Sequence, residues 1–137
     1  MNYPSGLGAT RISITVLMVM ASWAASITST RPAPEAKALR HVVLFKFEDG
    51  TTPEQVKQVE DAFRALPSKI NLIRSFEWGT NVSPENLNQG YTHCFFLTFA
   101  SDQDRDAYLV HPAHKEFGKL LTPYLDKVTV VDYFVQN

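Results

Sequence analysis

The sequence predicts a single α+β domain in the order β-α-β-β-α-β. Three observations predict it. Runs rich in β-branched and aromatic residues alternate with stretches of helical spacing in that order. Both main helical stretches open on a capping residue, Thr52 and Ser101. The first and third strand runs are apolar on both faces, so each face needs a cover. This order is the split βαβ, or ferredoxin-like, arrangement.

The first strand is Leu39–Phe47, Leu-Arg-His-Val-Val-Leu-Phe-Lys-Phe, and Glu48-Asp49-Gly50 breaks it. Thr52-Pro53-Glu54-Gln55 then opens a helix. Thr52 suits the N-cap, Pro53 the first helical position, and Gln55 the third place of a capping box. Val56, Val59, Phe63 and Leu66 recur at helical spacing and mark its core face, with Pro67-Ser68 expected to end it. Residues 70–82 read as the second strand, with Gly79 at a bulge or close approach. After the loop 83–90, residues 91–100 form the third strand.

Ser101 caps a helix that runs to about Val110. Pro112 interrupts it, because proline lacks a backbone donor and pushes its predecessor out of the helical region. A further helical segment spans 114–124, and residues 127–135 form the fourth strand. Right-handed crossovers are expected to set strands one and three side by side and parallel at the centre of the sheet. Two helices cover one sheet face only. Packing the other apolar face against a second copy would give a dimeric α+β barrel, so a homodimer is expected.

The 137 residues carry a formal net charge of −1. From Ala38 onward ten Lys and Arg stand against thirteen Asp and Glu. No basic field calls for nucleic acid or anionic lipid. The one cysteine, Cys94, excludes an intramolecular disulfide and sits in an apolar run, as a buried thiol does. The beginning of the chain reads differently. Arg11, the apolar run from Ile12 to Ala21 and the small residues Ala24, Ala25 and Ser26 describe a signal peptide over 1–26. The apolar run is short for a membrane span. Residues 27–38, with Pro32 and Pro34, read as a linker to the domain 39–137. A secreted or periplasmic protein is expected. An uncleaved N-terminal membrane anchor, or a later start for a cytoplasmic protein, are the alternatives.

The chemistry gathers in Tyr108-Leu109-Val110-His111-Pro112-Ala113-His114, which holds a phenol and two imidazoles. The other histidines, His41 and His93, each stand near the start of a strand. With strands one and three parallel, all four histidines should converge at one mouth. The pocket there would be lined by Val43, Phe45, Val59, Phe63 and Phe95, with His41, His93 and His111 at its edge. On an unbroken helix Tyr108 and His114 would lie roughly 240° apart. The break at Pro112 is what can turn His114 toward Tyr108. A histidine needs little tuning to act as a base near neutral pH. A histidine before proline also commonly serves a turn, which is the competing role for His111. His-x-x-His across a proline is no helix-face ligand pair, and no Cys or carboxylate recurs at a fixed spacing. No metal and no cofactor is expected.

Four stretches together resemble the stress-responsive A/B barrel (Dabb) domain. They are Arg40-His41-Val42-Val43-Leu44-Phe45-Lys46-Phe47, Trp78-Gly79, Gly90-Tyr91-Thr92-His93 and the 108–114 segment. The resemblance covers residues 39–134 and implies a dimeric α+β barrel. In a polyketide cyclase similar to this domain, a helix histidine is the general base of an intramolecular aldol condensation, aided by a tyrosine. By that resemblance His114 is the base and Tyr108 its aid, with His41 and His93 at pocket positions. Phe63 and Leu125 depart from that cyclase, which has a tyrosine and a tryptophan there, so the implied substrate does not carry over. Two readings follow: a small-molecule binding or lyase/cyclase-like enzyme, and a non-catalytic stress-associated dimer in which the same residues are structural.

Overall fold

The computed structural model describes residues 37–136, so the leader and nearly all of the linker lie outside it. The elements are β1 (Leu39–Phe47), α1 (Pro53–Arg64), a single turn α2 (Leu66–Lys69), β2 (Ser75–Thr80) and β3 (His93–Phe99). α3 (Asp102–Val110), α4 (Pro112–Leu121), a 3-10 turn (Thr122–Tyr124) and β4 (Leu125–Phe134) follow. Among the described residues no helix is long and apolar enough to cross a membrane.

The strands form one sheet in the order β2-β3-β1-β4. The ferredoxin-like order is as expected, but β1 and β3 run antiparallel, with His41 opposite Leu97 and Phe45 opposite His93. The parallel expectation misapplied the crossover rule. Each βαβ crossover makes its own two strands parallel, β1 with β2 and β3 with β4. The reversal between β2 and β3 then turns β3 against β1.

The α1 start is set by local chemistry. Gln55 N donates to the Thr52 hydroxyl at 3.3 Å, and the Gln55 side chain accepts from Thr52 N at 2.8 Å. The end differs from expectation. Pro67 does not stop a helix but sits in the first turn of α2, where a missing N–H costs nothing. Residues 70–74 are not strand. Ile70 and Ile73 are buried pegs of a connection instead. Gly90, at φ +84, makes the turn into β3 where a Cβ would meet the Lys46 side chain at 2.7 Å.

Alternate residues of the sheet face the helices. Val43, Phe45, Phe95, Leu97 and Phe99 pack there against Val59, Phe63, Leu66, Tyr108, Phe117 and Leu121. Phe63 stacks on Phe95 with ring centroids 4.2 Å apart. Truncating such a ring typically costs about 3–5 kcal/mol. The helix layer stops short of β4. Val128 and Val130 share the inner face with Phe45 and Val43 yet stay 47% and 50% exposed. On the outer face Val131 and Tyr133 stay 51% and 44% exposed, beside half-buried Val42 and Leu44.

Candidate functional site

The gap between β4 and the helices is a cavity of about 250 Å³. Six of the predicted site residues line it: His41, Val43, Phe45, Phe63, Tyr108 and His114. The other four do not. Val59 and Phe95 are fully buried core beneath it. His93 lies at the opposite end of the sheet, because β3 runs antiparallel to β1. Four residues of register separate the two strand histidines, roughly 13 Å. The expected four-histidine mouth is therefore divided.

Tyr108 and His114 meet because the chain breaks between them. α3 ends at Val110, His111 is extended at φ −62 and ψ 137, and α4 starts at Pro112. The two rings come to 4.4 Å between centroids. His111 serves the break itself. Its Nδ1 accepts from Ala113 N at 3.1 Å and caps α4.

Each polar group at the cavity has a defined state. His114 Nδ1 is 3.1 Å from the Leu109 carbonyl oxygen, which can only accept. Nδ1 therefore carries the hydrogen and Nε2 keeps its lone pair. Burial pushes the His114 pKa below the usual imidazole value. The Leu109 bond opposes that shift, and the neighbouring His41 and His111 add to it. Tyr108 is almost wholly buried, and burial pushes its phenol pKa well above 10.0, so the hydroxyl keeps its proton. Among the described residues nothing hydrogen-bonds that hydroxyl, and Tyr108 lines the cavity.

His41 Nδ1 meets Asp132 Oδ1 at 2.6 Å, and Arg105 binds the other oxygen of Asp132. Leu125, named with Phe63 by the family resemblance, lines the cavity, whereas sequence reasoning missed Asp132, Leu109, Leu121, Val128 and Val130 in its lining and Arg105 behind it. The β1–β4 register sets His41 opposite Asp132, and no local sequence pattern states that register.

At the far end, His93 Nε2 lies 3.0 Å from Glu60 Oε1 and Nδ1 lies 2.8 Å from the Thr92 hydroxyl. Trp78 stacks parallel to its ring. A wider hollow of about 550 Å³ reaches from His93 onto the outer sheet face, beside Leu44, Cys94 and Thr129. Burial and then Glu77 push the Cys94 thiol pKa up, so it is a poor nucleophile. Among the described residues no three His, Cys, Asp or Glu are grouped as metal ligands.

Residues 39–135 match the sequence profile of the Stress responsive A/B Barrel Domain. The chain belongs to the Dabb family. It is 44% identical over 100 residues to the stress-response A/B barrel domain-containing protein HS1 of Arabidopsis thaliana, spanning 72% of this chain and 92% of that one. It is 31% identical over 96 residues to olivetolic acid cyclase of Cannabis sativa, spanning 70% of this chain and 95% of that enzyme. Among solved structures, hydroxynitrile lyase from Passiflora edulis superposes with a TM-score of 0.70 at 25% identity, over 74% of this chain and 95% of the lyase. A dimeric ferredoxin-like protein from Bacteroides fragilis superposes with a TM-score of 0.60 at 31% identity, over 72% of this chain and 96% of that one. The family and the ferredoxin-like fold anticipated from the sequence are thus both met.

Proposed function

We propose that this Dabb domain is a lyase- or cyclase-like enzyme that moves a proton on a small carbonyl compound, with His114 as general base and Tyr108 as hydrogen-bond donor. One observation carries the reading. The ring of His114, with Nδ1 tied to Leu109, has its centroid 4.4 Å from that of Tyr108, which lines the same cavity and whose hydroxyl has no partner among the described residues. A base and a donor set this close can take a proton from carbon or oxygen while the phenol stabilises charge on the carbonyl oxygen. Val43, Phe45 and Phe63 supply an apolar wall that excludes water from the exchange. The olivetolic acid cyclase and the hydroxynitrile lyase among the similar proteins are consistent with such chemistry.

The enzyme acts as a homodimer in this reading. The uncovered outer face with Val131 and Tyr133, and the dimeric solved relative, support that state. Light scattering at micromolar concentration should return twice the chain mass, and a stable monomer overturns it. In this reading residues 1–26 act as an export leader by their sequence pattern, and the reaction runs outside the cytoplasm. N-terminal sequencing of the native protein should begin after about Ala25. A cytosolic protein still carrying Met1 contradicts export.

The test of the reaction is a panel of cyanohydrins, aromatic aldehydes and β-dicarbonyl compounds incubated with the protein and followed by mass spectrometry. Turnover that disappears in His114→Ala while the fold persists supports the enzyme. Neither turnover nor binding across the panel favours a non-catalytic dimer.

A further inference from the structure

We infer that the hollow on the outer sheet face is a second binding site, and that it takes a neutral polyhydroxylated molecule of disaccharide size, a sugar or a glycoside. The site is separate from the His114 cavity and does not rest on the chemistry proposed there.

The hollow has a volume of about 550 Å³, which is within the range of small-molecule sites. Its floor is the outer face of three strands, with Leu44 on β1, Cys94 on β3 and Thr129 on β4. Its wall is the end of β2 and the connection 81–92. That connection is held in an uncommon shape. Asn86 and Gln89 have φ of +58 and +50, and Gly90 follows at φ +84. Left-handed residues other than glycine cost free energy and cluster at ligand clamps. Two side-chain bonds fix the shape. Asn88 Nδ2 donates to the Tyr91 carbonyl at 2.9 Å, and the Thr129 hydroxyl donates to the Tyr91 phenol oxygen at 2.6 Å. Tyr91 thus ties the wall to β4 across the floor, and the hollow is formed before any ligand arrives. Val131 and Tyr133, which the proposed homodimer covers, lie further along the outer face of β4. From Thr129 to Tyr133 is four residues, roughly 13 Å. The hollow lies at the end of the sheet, so pairing of the outer faces leaves it at the mouth between them.

The lining selects the class of ligand. No Asp, Glu, Lys or Arg is part of it, so an ion would lose water there without meeting an opposite charge. His93 borders the hollow, but Glu60 and Thr92 occupy both of its ring nitrogens. Its contact with Glu60 on α1 remains structural. What the hollow offers is hydroxyl and amide groups. Tyr91 accepts from Thr129 and keeps its own hydrogen to give. Asn81 Oδ1 accepts from Ser83 N at 3.1 Å, which leaves its amide hydrogens. Asn88 spends an amide hydrogen on Tyr91 and keeps its oxygen. Thr80 and Gln89 add a hydroxyl and an amide to the same lining. Donors and acceptors therefore stand together above a floor of Leu44 and Cys94. A sugar matches this, because each hydroxyl both gives and takes a hydrogen bond while the ring C–H groups lie on the apolar floor.

The test is an NMR titration of the full chain, labelled with nitrogen-15, against a panel of neutral mono- and disaccharides and their methyl glycosides. At least one should shift the backbone amides of 79–81, 88–92 and 128–130, with a Kd of about 1 mM or below. The amides of 108–114 should stay unmoved. The matching uronic acid, which carries a carboxylate in place of one CH2OH group, should bind about tenfold more weakly. Tyr91→Phe and Asn81→Ala each remove one hydrogen-bonding group and should weaken the neutral ligand by about tenfold, with the folded spectrum retained. Equal binding of the uronic acid overturns the ligand class. Shifts confined to 108–114, or full affinity in both variants, overturn the site. Binding by no member of the panel overturns both.

Discussion

The two ends of the sheet carry nearly the same local chemistry. At one end His41 is buried with Asp132 at 2.6 Å, and at the other His93 is buried with Glu60 at 3.0 Å. Both face the helix layer, and both are flanked by aromatic rings. What differs is the second layer. Beside His41 the helix breaks at His111-Pro112, turns Tyr108 and His114 inward and leaves a gap toward β4. Beside His93 both ring nitrogens are bonded and Trp78 and Phe47 close on the ring. A buried histidine–carboxylate pair is therefore no site by itself. It becomes one where the neighbouring elements leave room for a ligand and unpartnered polar atoms facing it.

The sharpest way to break this comparison is Tyr108→Phe, which removes only the free hydroxyl. Turnover of any panel compound should fall about 100-fold or more. The melting temperature should change little, since the oxygen has no partner to lose among the described residues. Unchanged steady-state rates would remove the phenol from the chemistry. Pro112→Ala comes next. It removes the residue that starts α4 and lets the helix run on, so His114 should lose its aim. Activity should fall at least tenfold, with stability shifted by only about 1 kcal/mol. Parent-like activity would show that the break does not direct His114.

Glu60→Gln acts on the other end. It should cost about 1–3 kcal/mol of unfolding free energy in urea melts, because His93 loses a charged partner in a buried place. Activity of the folded fraction should stay at parent level. The smallest effect is on the pH profile. As the proposed base His114 must be unprotonated, and its pKa is lowered from 6.5, so activity should fall only as pH drops through a value below 6.5. Tyr108 is raised from 10.0, so no loss from phenol ionisation should appear up to pH 10. An acid limb above 6.5 would mean that another group is the base.

The legible features were those that neighbours in sequence decide. The capping box at Thr52 and Gln55 needs only four consecutive residues, and the helix break at Pro112 only one ring. The meeting of Tyr108 and His114 followed from that break. Asp132 was illegible because its role depends on the β1–β4 register, which no local pattern states. His93 was misplaced for a related reason. Both strand histidines stand near the start of their strands, and one reversed direction sends them to opposite ends. Val59 and Phe95 were assigned to the pocket by periodicity, which separates core face from solvent face but not core from cavity.

In the proposed function one end of the sheet works and the other only supports, and a crossed pair of variants tests this most directly. His114→Ala and His93→Ala would be compared for turnover and for melting temperature in the same preparation series. The predicted result is a crossed pattern: His114→Ala loses turnover and keeps its melting temperature, while His93→Ala loses several degrees and keeps its turnover per folded molecule. The opposite assignment, with His93→Ala folded but inactive and His114→Ala fully active, would contradict it.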